Sequence, residues 1–177
     1  CGHLDGKTLV STAEMLGKLR AAQDARIDPA TVIVARTDAI AVEGFEAGLE
    51  RAHRYVEAGA DVLFVEALRT PEQMARVGRE LGGRVALLAN MVEGGKTPLL
   101  SITELGAIGF RLAIFPGAMV RVVGAAASQY LATLKSDGTT RGMLDQMFDF
   151  SRLNATVGTD LMLQTGERYS ADCIVKK

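Results

Sequence analysis

The sequence predicts an α/β protein built on parallel strands, arranged as an open sheet or a barrel, and three observations carry that reading. Four short apolar runs, Val32–Arg36, Asp61–Glu66, Val85–Asn90 and Phe110–Pro116, start roughly 24 to 30 residues apart, the spacing of strand–helix units. Loop chemistry and then a helical pattern follow each of them. The runs also break into polar residues at their carboxyl ends, so that Arg36, Glu66 and Asn90 stand at the ends of three successive strands. In a parallel sheet or barrel those ends share one side, which is where ligands bind.

Residues 1–10 are polar and Gly-containing and read as a loop. Ser11, with Glu14 three positions on, is a capping box that opens a helix over Thr12–Ala25 carrying Met15, Leu16 and Leu19 at helical spacing. Asp28 and Pro29 close the connection, and Val32–Arg36 is short and β-branched, which suits a strand buried on both faces. Phe45, Leu49, Ala52, Tyr55 and Val56 mark one face of a helix that stops near Gly59. His53 falls between those positions and reads as a helix-flank histidine. The strand Val62–Glu66 leads to Thr70-Pro71-Glu72-Gln73, a second cap with Pro at the first helical position, and to a helix over Pro71–Leu81. The strand Val85–Asn90 opens into the polar, Gly-rich loop 91–98, a candidate substrate-facing loop without the spacing of a Walker loop. Ser101 and Glu104 repeat the capping box before a short helix ending at Gly109. The strand Phe110–Phe115 meets Pro116-Gly117, and a long helix runs to about Lys135. Its Gly124, Ala125, Ala126 and Ala127 predict close packing against a neighbour. Beyond a turn at 137–140, two short helices are expected, Gly142–Phe150 and Ser151–Gly158, as a tail.

Composition narrows the class. The chain has 177 residues, 48% of them apolar and 23% charged, which is globular rather than disordered. A net charge of -1 with interspersed signs leaves no basic stripe for nucleic acid and no polybasic membrane anchor. No apolar run reaches the roughly 18 residues of a membrane span. We therefore expect a soluble, cytoplasmic protein acting on small molecules. Cys1 and Cys173 are too far apart and too few for a disulfide framework or structural zinc site. Four strand–helix units cannot close an eight-stranded barrel, and the chain opens inside a loop, so we expect the C-terminal half of a longer protein.

Each candidate residue carries two readings from its chemistry alone. Cys1, beside Gly2 and His3 in a polar loop, is either a proton donor or nucleophile or an incidental loop cysteine. Arg36 offers a planar fork for a carboxylate or phosphoryl group, or an ion pair with Glu66, and the two are compatible. Asn90 donates to a substrate oxygen or caps the next segment. Asp38 pairs with Arg36 or caps the following turn.

Cys1-Gly2-His3, Ala35-Arg36-Thr37-Asp38-Ala39, Glu57-Ala58-Gly59-Ala60-Asp61, Phe64-Val65-Glu66-Ala67 and the run Ala89–Pro98 resemble the isocitrate lyase and phosphoenolpyruvate mutase superfamily. The likeness is to its methylisocitrate lyase, dimethylmalate lyase and carboxyphosphonoenolpyruvate phosphonomutase branch, and it covers residues 1 to about 135 in order and spacing.

The resemblance implies a (β/α)8 TIM barrel. Residues 1–135 would be its C-terminal half, including the end of a catalytic gating loop, and residues 136–177 a helical tail serving as an oligomer contact. It also implies a homo-oligomer, usually a tetramer. Mg²⁺ or Mn²⁺ would be held by Asp residues of an earlier strand, with no metal ligand in this chain. Cys1, Arg36 and Glu66 would be catalytic, with Cys1 protonating the carbanion-like product. Gly2, His3, Asn90, Val92 and Arg121 would touch a small carboxylate substrate. The implied reaction cleaves a 2-hydroxy dicarboxylate of 2-alkylmalate or methylisocitrate type to a 2-oxo acid and a carboxylic acid. Phosphonomutase chemistry and a non-catalytic binding protein on the same fold are the alternatives. In the tail, methylisocitrate cleavers tend to keep an arginine near the position of Phe150, and here Arg152 comes two residues later, which argues for a smaller 2-alkylmalate.

Overall fold

Residues 6–169 are described by the structure, a computed structural model. The chain divides between Val120 and Arg121 into two compact units. In the first, α1 (Thr12–Ala25), β1 (Val34–Thr37), α2 (Ala39–Glu43), α3 (Phe45–Glu57), β2 (Val62–Val65), α4 (Pro71–Leu81), β3 (Ala86–Asn90), α5 (Ile102–Ala107) and β4 (Phe110–Ile114) follow one another. The strands form one sheet in the order β1-β2-β3-β4 with every pair parallel. The expected α/β class with a parallel sheet is thus what forms.

The local signals explain most boundaries. Ser11 Oγ accepts from the backbone N–H of Glu14 at 3.1 Å, Thr70 Oγ1 from that of Gln73 at 3.2 Å, and Ser101 closes a full reciprocal box with Glu104. Each satisfies N–H groups that a helix start leaves orphaned. Two expectations for the first strand fail. The first strand begins at Val34 rather than Val32, because the Ile33 N–H donates to the Asp61 carboxylate at 2.8 Å and the Ile33 carbonyl accepts from Asp61 and Val62, so the ladder starts one residue later. It is also not buried on both faces: Ala35 and Thr37 are covered whereas Val34 is 48% exposed. Among the described strands only β2 is buried throughout.

The reason is the register. Leu63, Val65, Leu87 and Ala89 point with Ala35 into one core, where they meet Leu49, Ala52 and Tyr55 of α3 and Met74, Val77 and Leu81 of α4. The alternate residues point the other way, and no helix among the described residues of the unit covers that side, so Leu112 and Ile114 are exposed as well.

The second unit continues from α6 (Ala118–Asp137) through a 3₁₀ turn at Arg141–Gln146 to α7 (Phe150–Val157) and α8 (Thr159–Glu167). A helix over Gly142–Phe150 does not form: the tight turn stops at Gln146, and Asp149 caps a new helix by accepting from the Arg152 N–H at 2.7 Å. Gly158 in the left-handed region then separates α7 from α8. The neighbour expected at Gly124–Ala127 is not found among the described residues, since a Cβ at Gly124 would meet nothing within 4 Å. No helix of the described residues is long and apolar enough to cross a membrane.

Candidate active site

Pairing places Arg36 level with Phe64 and Asn90 level with Ile114, so Arg36, Phe64, Glu66 and Asn90 rise from the sheet face that the helices leave open. The Glu66 N–H donates to the Thr37 carbonyl at 2.9 Å and the Met91 N–H to the Ile114 carbonyl at 2.9 Å, which aligns the carboxyl ends. Ala67 then takes a positive φ of 67°, an unusual backbone for a residue with a Cβ. That turn brings the Ala67 N–H onto Glu66 Oε1 at 3.1 Å.

The side chains form a continuous polar array. Arg36 Nε donates to Asp38 Oδ2 at 2.7 Å and Arg36 Nη2 to Asp38 Oδ1 at 3.0 Å, a two-point grip. Nη2 also stands 3.1 Å from Glu66 Oε2, and the guanidinium lies over the Phe64 ring at 4.8 Å. Asn90 Nδ2 donates to the same Glu66 oxygen at 3.3 Å. With its amide nitrogen turned to Glu66, the buried Asn90 Oδ1 has no hydrogen-bond partner among the described residues. An acceptor in that state costs stability unless a donor reaches it, so it marks a place for a hydroxyl or an N–H. The Arg36 guanidinium beside it holds the Asp38 carboxyl below the usual carboxylate range, with Lys7 adding to the effect; Asp38 raises Arg36 in return. Both are charged at neutral pH.

A cleft of about 410 Å³ opens beside the array, lined among others by Lys7, Arg36, Asp38, Arg51 and Tyr55. Three cations against one acid suit an anionic guest. No group of three His, Cys, Asp or Glu that could hold a metal ion exists among the described residues.

The structure therefore brings together Arg36, Glu66 and Asn90. Val92 lies two residues beyond Asn90 in a turn closed by the Gly95 N–H on the Val92 carbonyl at 2.9 Å. Arg121 is the first residue of the second unit. Cys1, Gly2 and His3 lie outside the described residues, as does Cys173. Lys7, whose Nζ donates to Asp38 Oδ1 at 2.7 Å, had no local signal, because its partner is 31 residues away.

Likeness to known proteins bears on this geometry. The chain is 42% identical over 170 residues to a 2,3-dimethylmalate lyase of Eubacterium barkeri, covering 96% of the chain and 58% of that protein. It is 48% identical over 153 residues to a probable 2-methylisocitrate lyase of Corynebacterium glutamicum, covering 86% and 50%. A crystal structure of 2,3-dimethylmalate lyase, a member of the phosphoenolpyruvate mutase/isocitrate lyase superfamily, superposes with a TM-score of 0.83 at 36% identity, covering 96% of the chain and 56% of its own. The chain thus spans little more than half the length of the relatives it matches. The sequence profile of the phosphoenolpyruvate phosphomutase family matches residues 2–135, and this shows that the chain belongs to that family.

Proposed function

We propose that the protein to which this chain belongs is a carbon–carbon lyase that splits a 2-hydroxy dicarboxylate into a 2-oxo acid and a carboxylic acid. In that reaction the hydroxyl proton leaves, the bond between C2 and C3 breaks, and its electron pair passes to C3, which finally takes up a proton. The supporting observation is the array of Arg36, Glu66 and Asn90 on one open face, with a guanidinium held in place and a buried amide oxygen awaiting a donor. Arg36 steadies the substrate carboxylate or the forming oxyanion, a role its fork fits. Asn90 Oδ1 accepts from the substrate hydroxyl, and Glu66 orients both. Cys1 is the proton donor expected from the resemblance, with Gly2, His3, Val92 and Arg121 completing the substrate contacts.

Mg²⁺ or Mn²⁺ is the cofactor the resemblance implies, where it would polarise the substrate oxygens. The described residues hold no group of three His, Cys, Asp or Glu for it, and the resemblance puts its ligands on an earlier strand. The assembly we propose is a homo-oligomer, a tetramer by the same resemblance.

The substrate we favour is a 2-alkylmalate. Phe150 opens α7 and is 87% exposed, and the Arg152 guanidinium is stacked over the Phe148 ring at 4.2 Å. An extra carboxylate buried without a cation would cost several kcal/mol. Release of the 2-oxo acid from 2,3-dimethylmalate and from 2-methylisocitrate, assayed with the whole protein, tests both parts. Faster cleavage of dimethylmalate supports the reading. A preference of roughly tenfold or more for methylisocitrate, about 1.4 kcal/mol, abolished by Arg152→Ala, would restore the larger substrate, and cleavage of neither would overturn the lyase assignment.

A further inference from the structure

We infer that Asp38 is a positioning residue for Arg36, held in turn by Lys7, so that the array at the strand ends presents one chosen edge of the guanidinium to the substrate. The inference rests on the lyase reading for its consequence, although not for its geometry. Asp38 sits at the N-cap position of α2, where an aspartate ordinarily accepts from the first helical N–H groups. It makes no such bond. The Ala39 N–H goes to Thr37 Oγ1 at 3.2 Å instead, and both Asp38 oxygens are given to cations: Arg36 Nε and Nη2 at 2.7 and 3.0 Å, and Lys7 Nζ at 2.7 Å. A carboxylate withdrawn from capping, and shared between a neighbouring arginine and a lysine 31 residues away, serves their placement rather than the helix.

The consequence for Arg36 is geometric. Asp38 takes the Nε edge, Glu66 shares Nη2, and Phe64 supports the ring-facing side. Nη1 is the nitrogen for which the described residues show no acceptor. Its two N–H groups are the donors left for a ligand. Without Asp38 the Nε edge would be released and the guanidinium free to rotate, so its Nη1 donors would no longer be held where the substrate needs them.

Lys7 is fixed from both sides. Its Nζ is on Asp38, and three residues on the Val10 carbonyl accepts from Arg51 Nη1 of α3 at 2.8 Å. Segment 7–10 is therefore tied to the sheet end and to the helix layer. Lys7 offsets the charge of Asp38 so that Arg36 is not drawn fully away from Glu66.

The test uses the whole protein with Asp38→Asn and Lys7→Met, and two readouts. In the first, modification of Arg36 by phenylglyoxal is followed by peptide mass spectrometry without any substrate. Asp38→Asn should raise the rate at Arg36 about tenfold, since removing a carboxylate partner frees a guanidinium, and Lys7→Met should lower it by a smaller factor, since Asp38 then grips Arg36 alone. An unchanged rate in a folded Asp38→Asn protein overturns the inference. In the second, kcat and KM are measured on 2,3-dimethylmalate. Asp38→Asn should raise KM and lower kcat, each by roughly tenfold. A lower melting temperature with both constants kept would show a purely structural role and overturn the inference. If Asp38→Asn does not fold, the same readouts on Lys7→Met decide, an unchanged Arg36 rate again counting against it. Absence of turnover in the unsubstituted protein would remove the lyase reading, while the reactivity of Arg36 still decides the positioning.

Discussion

The two faces of the four-stranded sheet are built from alternate residues of the same strands, and they answer to different demands. On the helix-covered face Ala35, Leu63, Leu87 and Ala89 are sealed against α3 and α4, where apolar burial contributes about 25 cal/mol per Å². The open face carries Arg36, Phe64, Glu66 and Asn90, with Val34, Leu112 and Ile114 exposed around them. A period of two lets one short strand do both jobs. Stability and chemistry are therefore separable here by residue parity: substitutions on the sealed side should cost folding and spare turnover, and those on the open side the reverse.

The largest effect expected is on the open side. Arg36→Lys keeps the charge and loses the fork that grips Asp38 while reaching Glu66. Turnover of the whole protein should fall by roughly a hundredfold or more, the scale seen when one preorganised donor is removed. Its melting temperature should move by only a few degrees, because the side chain is partly exposed and its ion pairs are screened. Retained turnover would show that the open face does not carry the chemistry through the Arg36 fork.

A sealed-side counterpart comes next in size. Gly78 lies in α4, where alanine would ordinarily favour the helix by about 1 kcal/mol. Here an added Cβ would stand 1.6 Å from the Ile108 carbonyl oxygen and 2.8 Å from its carbon. Backbone cannot yield as a flexible side chain would, so overpacking wins over propensity and Gly78→Ala should destabilise by about 1–3 kcal/mol or more. Denaturant melts measure this, and turnover per folded molecule should be unchanged. A neutral melt would mean that the chain around Gly109 moves aside readily.

How much of this could be read beforehand follows the range of the interactions involved. The caps at Ser11, Thr70 and Ser101 were legible because donor and acceptor lie three residues apart. Arg36, Glu66 and Asn90 were legible as strand-end residues, since an apolar run ending in a polar residue is a local signal. Their sharing of one face needed the register, and the start of β1 at Val34 depended on Asp61, 28 residues from Ile33. Helix α2 went unread because Ala39–Glu43 is too short to show a period before Gly44, at φ 94°, ends it. The ties of Lys7 to Asp38 and of Arg51 to Val10 had no sequence trace, being contacts between segments that only the fold brings together.

The smallest effect expected sharpens the boundary between the two faces, at Ala67. This residue follows Glu66 directly and holds φ at 67°, a conformation that costs an L-residue about 1 kcal/mol and a glycine little. Its methyl also packs beside the core, and its N–H holds Glu66 Oε1. Ala67→Gly relieves the backbone strain, yet it enlarges the entropy lost on folding by roughly 0.5–1 kcal/mol and removes the methyl contacts. These nearly cancel, so the melting temperature of the whole protein should shift by no more than about 2 °C. The turn after Glu66 becomes looser at the same time, and the carboxylate that orients Arg36 and Asn90 is less well fixed. Turnover should therefore fall about threefold, since misplacement at a site is felt in rate before it is felt in stability. A destabilisation above about 2 kcal/mol would show that the methyl belongs to the sealed side after all. Unchanged turnover with an unchanged melt would show that Glu66 is placed by Arg36 and Asn90 alone, without help from the strained turn.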